Sequence, residues 1–546
     1  MDSLFGQVSQ EDSLRPMGTQ SGDERILLVC PTMWDECEIP RVAAGMHCRV
    51  LSYGTDVSEC PESFDALDFI ERAVEVASGQ DIDGVMASDD YPGSILAAAI
   101  ARRLHLPGPS PAAVLLCQHK YYARVAQRGA VPEAVPAFAL LHGRCLAEAP
   151  PGLSFPLFVK PVKSFFSLFA QEVTGPTQLW ELARRADQHL REFVRPFNQL
   201  LRRYTTFEHD GGHLLAEEPL RGHQVTVEGC VFQGDGRIIG ITDSVMYPGT
   251  ISFERFEYPS ALDRAVQERM ATLALRFMRA IGFDDGLFNI EMFYDPERDA
   301  VQIIEVNPRM CPQFADLMEK VNGVNTYEIA LSIAAGRRPA IHRAGRKHEV
   351  ATSFALRLFE DQVVTHVPGE GELAAFRERF PDARLKVLCR EGHRLSEELQ
   401  DGNSFRYAVL NVGGSNRAGT LARCREMLGQ LPFVFEPVRR TQALGWQNGG
   451  PPGPRLDADR RGPLSAPRDR SPDLGVAPRP EAVEAGHPRA PKSAASIHQE
   501  QARPDAREIQ VQDTVCTERR LWDGRDGSVE PSRHRSGVLV GFPDWR

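Results

Sequence analysis

An apolar strand that closes with polar residues sets narrow limits on how this chain folds. The stretch AVQIIEVNP, residues 300–308, has the pattern of a core strand, yet it carries Glu305 and Asn307 two positions apart at its end. Side chains at positions i and i+2 of a β-strand point to the same face of a sheet. A carboxylate and a carboxamide are therefore expected side by side, with Arg309 just beyond Pro308.

The stretch before it, GLFNIEMFYD, also alternates and leads into a turn, PERD, so the two stretches predict an antiparallel hairpin. With a loop at residues 296–300, Glu291 lies directly opposite Glu305, with Cβ atoms ~5 Å apart. Two like charges this close repel each other unless a cation lies between them or one carboxyl group is protonated. Together with Asn307 they offer the oxygen ligands that Mg²⁺ prefers. A solvated pair of acids at a strand end is the alternative.

The first part of the chain predicts an α/β domain. Strands alternate with helices, which indicates a parallel sheet, with strands at residues 26–30, 48–53 and 83–88 and helices at residues 65–78 and 94–106. No GxGxxG follows the first strand, so a dinucleotide-binding Rossmann site is a poor interpretation.

The composition argues against several classes of protein. The 546 residues carry a net charge of −11, which disfavours a general nucleic-acid binder. No apolar run approaches the ~18–20 residues of a membrane helix, and the N-terminal residues lack the basic and apolar regions of a secretory signal. Eleven scattered cysteines without a CxxC pair indicate reduced thiols in the cytoplasm rather than a disulfide framework or a zinc site.

The two ends of the chain differ from its body. Residues 441–546 contain 13 Pro, 15 Arg and no hydrophobic periodicity. Such a segment cannot bury enough apolar surface to offset the entropy of ordering its backbone. We therefore predict a disordered tail over residues 439–546 and a disordered leader over residues 1–24.

Two lysines and an acidic hinge lie in the middle of the chain. Lys160 ends another apolar strand, FPLFVKP, and a buried lysine needs a partner or a role. Lys120 lies in LLCQHKYYARVA, which predicts one helix; either lysine alone is more often structural than functional. Further on, a strand ends at Glu217 and Glu218, and a second strand begins after Gly222. Such a hinge offers backbone groups to a planar base.

The order of these features resembles the ATP-grasp superfamily, and within it the carboxylate–amine ligase branch that includes biotin carboxylase and D-Ala-D-Ala ligase. The likeness includes SDDYPGSILAAAIARRLHLPGPSP near the start and the EVNPR motif, and it covers the chain from Arg25 to Pro437. It implies an α/β and α+β architecture in which the ATP-grasp domain has two lobes. The implied parts are a Rossmann-like pre-ATP-grasp domain over residues 25–110, the ATP-grasp domain over residues 111–340 and a small C-terminal α/β subdomain over residues 341–438.

The resemblance also implies roles for single residues. Glu291, Glu305 and Asn307 would hold Mg²⁺ (or Mn²⁺) ions that bridge the phosphates of ATP, and Arg309 would stabilise the transferring phosphoryl group or the acyl phosphate. The implied ATP contacts are Lys120 and Lys160 on the α- and β-phosphates, Glu217 on the adenine amine, the backbone of Glu218 and Leu220 on the base, and Gln224 on the ribose, where the family often has glutamate.

One segment departs from the family pattern. The loop after the second lysine is usually rich in glycine, whereas PVKSFFSLFA, residues 161–170, has none. Ser164 and Ser167 could donate hydroxyl groups to phosphate, and Phe165 or Phe166 could exclude water. A hydrophobic hairpin without a role in ATP binding is the alternative.

The implied activity is that of an ATP-dependent ligase. It would activate a small carboxylic acid, an amino acid being one candidate, as an acyl phosphate and join it to an amine, forming ADP and phosphate. A bicarbonate-phosphorylating enzyme like biotin carboxylase and a non-catalytic ATP-binding module are the alternatives. Arg255 could pair with a substrate carboxylate, although a surface ion pair is the more frequent situation. The expected partners are small molecules, with no nucleic acid and no membrane, and a homodimer is left open.

Overall fold

The computed structural model describes residues 14–17, 24–54, 64–141, 148–164, 169–343, 347–397 and 404–438. All of them belong to one structural unit. The predicted tail lies outside the described residues, as do Phe165, Phe166 and Ser167 of the glycine-free loop.

The N-terminal part contains the predicted parallel sheet. Its elements are β1 (Arg15–Pro16), β2 (Glu24–Val29), α1 (Met33–Met46), β3 (Cys48–Tyr53), α2 (Ala66–Ser78), β4 (Gly84–Met86) and α3 (Gly93–Arg103). Strand β2 lies between β3 and β4 and is parallel to both, so the prediction of a parallel sheet is confirmed.

The prediction of a leader that is disordered throughout residues 1–24 is wrong at Arg15–Pro16. These two residues pair antiparallel with Ser52 and Leu51 of β3, and the amide of Met17 donates to the carbonyl of Val50 at 3.0 Å. The physical reason is that β3 would otherwise be an edge strand, whose free backbone groups attract another segment of chain.

The segment around Lys120 forms two helices instead of the single predicted helix. Helix α4 (Pro111–Gln118) ends before His119, and α5 (Lys120–Ala130) begins directly after it. His119 is extended, and its Nδ1 accepts from the amide of Tyr122 as the N-cap of α5. Lys120 is therefore the first residue of a helix, and its amide is free to donate to the carbonyl of Val162 at 3.1 Å.

A four-stranded antiparallel sheet forms the first lobe of the central region. Its elements are β5 (Phe138–Leu141), β6 (Leu157–Pro161), β7 (Gln171–Val173), α6 (Pro176–Phe193), α7 (Arg195–Tyr204) and β8 (Leu214–Glu217), with the strand order β5–β8–β6–β7. Helix α6 buries Leu179, Leu182 and Leu190 against the sheet. The lobe thereby places Lys160 on β6 next to Glu217 on β8.

The second lobe is built on a larger sheet. Its first elements are β9 (His223–Phe232), β10 (Asp235–Met246), β11 (Phe253–Tyr258), α8 (Arg264–Ala280), β12 (Gly286–Asp295), β13 (Ala300–Asn307), α9 (Ala315–Asn322) and α10 (Thr326–Ala334). Helix α8 packs on one face of β9, β10 and β12 through residues such as Met270 and Phe277. The other face carries Glu291 and Glu305.

The strands of the predicted C-terminal subdomain extend this same sheet. The segment contains β14 (Val350–Leu358), β15 (Gln362–His366), α11 (Glu370–Arg379), β16 (Arg384–Val387), β17 (Phe405–Gly414), α12 (Arg417–Leu428) and β18 (Val434–Pro437). Eight strands follow the order β13–β12–β9–β10–β11–β14–β17–β16. Residues 341–438 therefore share a sheet with the second lobe, and the boundary at residue 340 stays a prediction.

The N-terminal part packs closely against α10. A Cβ atom on Gly84 would lie 2.2 Å from the carbonyl oxygen of Ala334, so only glycine allows this approach. The hydroxyl of Tyr327 donates to Oδ1 of the buried Asp35 at 2.8 Å. These contacts hold the loop after β4 against the second lobe, which places Asp90 near the candidate site.

No helix among the described residues is long and apolar enough to cross a bilayer. The eight cysteines that the structure describes are free thiols.

Candidate active site

The two glutamates of the hairpin face each other as predicted. Glu291 on β12 is directly opposite Glu305 on β13. The turn is shorter than expected, because Asp295 already pairs with Ala300, and a bulge at Ile304 restores the predicted pairing. Without that extra residue, every side chain beyond Ile304 would point to the other face.

The carbonyl group of the bulged residue Ile304 is bound by two cations from elsewhere in the chain. Arg124 Nη2 donates to it at 2.8 Å and Lys160 Nζ at 3.3 Å. Arg124 belongs to α5 and Lys160 to β6, so the bulge ties the hairpin of β12 and β13 to both of these elements. A backbone oxygen released from the strand ladder thus gains charged donors.

Glu217 lies between the same two cations. Its carboxylate accepts from Arg124 Nε at 2.6 Å and from Lys160 Nζ at 2.8 Å, and all three side chains are buried. Burial alone would raise the pKa of Glu217, but Arg124 and Lys160 lower it to about 2. Contact of this carboxylate with an adenine amine stays a prediction.

Lys120 comes to the glutamate pair from the start of α5. Its Nζ lies 3.3 Å from Oε2 of Glu305. Burial alone would raise the pKa of Glu305, but Lys120, followed by Lys160, lowers it. The pKa of Glu291 is raised, first by burial and then by the charge of Glu305. One of two opposed carboxyl groups is therefore inclined to keep its proton when no further cation is present.

This donor set suits a hard divalent cation. Burial raises the pKa of Glu291, and the charge of the opposed Glu305 raises it further; a cation between the two carboxylates would remove this second contribution. Asn307 lies two residues beyond Glu305 on the same strand. Among the described residues, no group of three or more His, Cys, Asp or Glu side chains is placed to hold a metal, so phosphate oxygens and water would complete the coordination of Mg²⁺.

Gln224 and the hinge residues occupy places that sequence reasoning did not foresee. Gln224 Nε2 donates to Glu291 Oε2 at 3.1 Å, and its role at a ribose stays a prediction. The amide of Glu218 donates to the carbonyl of Ala137 at 2.9 Å, and its side chain pairs with Arg298. The half-buried Leu220 follows on the same hinge.

A carboxylate that sequence reasoning missed lies on the same face of the sheet as Glu291 and Glu305. Glu228 on β9 is fully buried, and it accepts from Asn289 Nδ2 at 2.6 Å and from the amide of Cys311 at 2.7 Å. Asn289 Oδ1 in turn accepts from Asn307 Nδ2 at 3.3 Å. A glutamate inside the alternating apolar strand VTVEGC was the signal that could have found it.

Arg309 lies in a second missed cluster. Its Nε is 3.7 Å from Oδ1 of Asp90, and Lys163 Nζ is 3.6 Å from Oδ2 of the same residue. Lys163 is buried beside the ring of Tyr91, with Nζ 4.3 Å from the ring centroid, and burial lowers its pKa to about 8. Ser164, next along the chain, is also buried. The acidic pair in SDDYPG and the second lysine in KPVK were the available signals.

Arg255 is not part of this site. Its Nε donates to Glu257 Oε1 at 2.8 Å, and it also pairs with Glu254. Directly opposed residues share a face of the sheet, and Glu257 is opposite Asp243, which is opposite Val225. The residue after Val225, Thr226, is opposite Glu291 and so lies on the other face. Arg255 therefore lies on the other face of the sheet, where its guanidinium forms ion pairs with Glu254 and Glu257, so the structure supports the ion-pair alternative.

Comparisons with known proteins show what this chain is similar to. Residues 153–318 match the ATP-grasp domain family. The large chain of carbamoyl phosphate synthase from Rubrobacter xylanophilus is 31% identical over 181 residues, which are 32% of this chain and 16% of that protein. This chain therefore spans only about a sixth of the length of that relative.

Two solved structures share the fold. The L-amino acid ligase from Bacillus licheniformis superposes with a TM-score of 0.61 at 17% identity, covering 76% of this chain and all of the other. Biotin carboxylase from Campylobacter jejuni superposes with a TM-score of 0.54 at 15% identity, covering 76% of this chain and 93% of the other. At these identities the two structures show that the described part of this chain has the fold of ATP-grasp enzymes, and residues 153–318 are the part that matches the ATP-grasp domain family.

Proposed function

We propose that this chain is an ATP-dependent ligase that activates a small carboxylic acid as an acyl phosphate and transfers the acyl group to an amine. The observation that carries the proposal is the opposed pair Glu291–Glu305, held next to Lys120 and followed two residues later on the same strand by Asn307. An L-amino acid ligase shares the fold, which supports an amino acid as the acid.

The glutamate pair would serve the nucleotide. Glu291, Glu305 and Asn307 are the residues that would hold Mg²⁺, which when bound offsets the negative charge of the phosphate groups. Lys120, at the N-terminus of α5, would bind a phosphate oxygen in exchange for its contact with Glu305. Lys160 lies in the same region but is held by Glu217 and by the carbonyl of Ile304. It would therefore act on the phosphates as a positive charge at a fixed position.

In the first step, a carboxylate oxygen of the acid would attack the γ-phosphorus and ADP would leave. Arg309 is the residue we propose for this step, because it follows β13 directly. Its Nε lies 3.7 Å from Oδ1 of Asp90, and its Nη1 donates to the carbonyl of Met310 at 3.3 Å. A guanidinium group can bind two oxygens of a phosphoryl group at once. Its contribution would therefore grow as charge develops in the transition state.

In the second step, the amine nitrogen would attack the acyl carbon and phosphate would leave. Asp90 favours an amine as the acceptor, because its Oδ1 is a buried atom that no hydrogen-bond donor among the described residues reaches. An ammonium group supplies such a donor, and it must lose a proton before it attacks. Lys163 and Arg309 lie on either side of the same carboxylate, at 3.6 Å from Oδ2 and 3.7 Å from Oδ1.

The remaining parts of the proposal concern the cellular location, the class of substrates and the oligomeric state. We propose a cytoplasmic location, which the free thiols among the described cysteines support, and small-molecule substrates without a nucleic-acid partner. A biotin carboxylase domain with ADP bound is described as a dimer, and a homodimer of this chain stays a prediction.

Release of ADP from purified full-length protein tests the proposed reaction. ATP, Mg²⁺ and a panel of amino acids and simple carboxylic acids are supplied, each with and without a second amino acid as amine. We expect at least one acid to stimulate ADP formation, and the amine to be required for continued turnover.

Two outcomes would support the alternatives instead. ADP formation that depends on bicarbonate and needs no amine would favour an enzyme like biotin carboxylase. Tight ATP binding without ADP formation in any mixture would favour a non-catalytic module, and it would contradict the role proposed for Arg309.

A further inference from the structure

We propose that Glu228 is a positioning residue that determines which atom of the Asn307 side chain faces the metal site and that also holds the segment carrying Arg309. The inference rests on the proposed function, because the metal site belongs to it. Glu228 is a positioning residue rather than a ligand in this proposal, because it is fully buried and both of its carboxylate oxygens are already bound by protein donors.

The three residues of this relay form one row across adjacent strands. Glu228 on β9 is the direct cross-strand neighbour of Asn289 on β12, and Asn289 is the direct neighbour of Asn307 on β13. The exposed fractions of the three residues are 0%, 3% and 8%. No water layer can therefore substitute for a lost hydrogen bond within the row without rearrangement.

The direction of each hydrogen bond follows from the carboxylate. An ionised glutamate can only accept, so Asn289 must turn its Nδ2 towards Glu228 and its Oδ1 towards Asn307. Asn307 must then donate its own Nδ2 to Asn289. Its remaining amide atom, the oxygen that a metal requires, is left to face the glutamate pair. A neutral amide at position 228 would not fix this orientation.

The second oxygen of Glu228 acts on the other catalytic element. It accepts from the amide of Cys311, two residues beyond Arg309, while the amide of Arg309 donates to the carbonyl of Asn307. The turn from Asn307 to Cys311 is therefore held at both ends. Burial raises the pKa of Glu228, the bonds from Asn289 and Cys311 oppose this rise, and the resulting value is about 7. Both partners are donors, so only the ionised carboxylate accepts from both with its two oxygens.

Glu228→Gln separates this role from general support of the core. Glutamine keeps the size of the side chain but presents one NH₂ group to partners that are both donors, so one of the two bonds is lost. If Asn289 turns over to compensate, Asn307 follows and presents a donor to the metal.

The measured quantity is the ratio of two dissociation constants for a non-hydrolysable ATP analogue, determined by calorimetry in excess Mg²⁺ and in excess chelator. Loss of a group that orients a metal ligand commonly lowers metal affinity ~10- to 100-fold. In Glu228→Gln, we expect the factor by which Mg²⁺ tightens binding of the analogue to fall ~10- to 100-fold. The dissociation constant measured in chelator should change little.

A double variant supplies the rescue. In Glu228→Gln with Asn289→Asp, the glutamine donates to the aspartate, its oxygen accepts from Cys311, and the aspartate accepts from Asn307. Total charge and the orientation of Asn307 are both kept. We expect either single variant to lose the Mg²⁺ effect and the double variant to regain most of it.

Asp243→Asn is the matched control. Asp243 is another buried acid, on the adjacent strand β10 and the opposite face, where it accepts from Ser260 and from the amide of Ala261. Its variant should leave the ratio unchanged even if stability drops. Equal losses in Glu228→Gln and Asp243→Asn, or no recovery in the double variant, would overturn the relay.

The design also separates the inference from the proposed function. A wild-type protein whose binding of the analogue gains nothing from Mg²⁺ would contradict the metal site itself. A wild-type Mg²⁺ effect that persists in Glu228→Gln would overturn the relay alone. Should Glu228→Gln not fold, the double variant decides, because all its polar groups have partners and the relay predicts a ratio near that of the wild type.

Discussion

Replacing Glu217 by glutamine removes the anion from a buried cluster of charges. Glu217 is 2% exposed, and its two oxygens are bound by Arg124 and Lys160, which are equally buried. The variant would leave two adjacent cations in the interior with one neutral acceptor between them. Removing one partner of a buried ion pair typically lowers stability by ~3–5 kcal/mol.

The pKa of Glu217 gives a second estimate of the same quantity. A fall from 4.5 to about 2 on folding corresponds to ~3 kcal/mol of stabilisation of the charged form at neutral pH. Because the folded pKa lies below the unfolded one, this stability is fully present above pH 4.5 and is lost as the pH falls towards 2. At pH 4, it should already be smaller by ~1 kcal/mol.

Urea unfolding at pH 7 and pH 4 measures both effects. Glu218→Gln is the matched control, because the neighbouring Glu218 pairs with Arg298 at the surface, where such pairs contribute ~0–1 kcal/mol. We expect Glu217→Gln to lower the free energy of unfolding by ~3 kcal/mol at pH 7, and by less at pH 4. The dependence of the unfolding free energy on urea concentration should not change. Equal effects of the two variants, or a difference that does not depend on pH, would refute the buried cluster as a stabilising element.

Three further predictions concern the site and the tail. Glu305→Ala should abolish ATP turnover while the circular dichroism spectrum stays that of the wild type, and turnover that persists at saturating Mg²⁺ would remove Glu305 from the metal site. Arg309→Lys should change nucleotide affinity little, by calorimetry, and lower turnover ~10²-fold; a collapse of affinity with a normal rate at saturation would make Arg309 a binding residue. A chain ending at Arg440 should keep the melting temperature and ATP affinity of the full chain, and a large drop in melting temperature would show that the tail packs.

Local patterns predicted the parts of the fold that depend on nearby residues. Alternation in β12 and β13 predicted an antiparallel hairpin, and Glu291 does lie opposite Glu305. The bulge at Ile304 was not foreseeable, since its carbonyl is held by Arg124 and Lys160, which are distant in sequence. The predicted loop was one residue too long, and the unforeseen extra residue in β13 offset this error. The pairing of Glu291 with Glu305 was therefore predicted correctly.

The charged network of the site was harder to predict. Glu228 and Lys163 each stand in apolar stretches, where a charge signals either function or a buried partner, but the sequence alone does not say which partner. Asp90 reaches Arg309 only because the N-terminal part packs on α10. In the same way, the extension of the central sheet by β14 and β17 depends on long-range strand pairing, which periodicity does not encode.

Transfer of labelled oxygen tests the acyl phosphate directly. An acid that stimulates ADP formation is prepared with ¹⁸O in both carboxylate positions and incubated with the enzyme, ATP, Mg²⁺ and an amine. If the carboxylate attacks the γ-phosphorus and the amine then displaces phosphate, one ¹⁸O atom must appear in inorganic phosphate and the other in the amide, as seen by mass spectrometry. Unlabelled phosphate, or label found in AMP instead, would contradict the proposed ligase reaction.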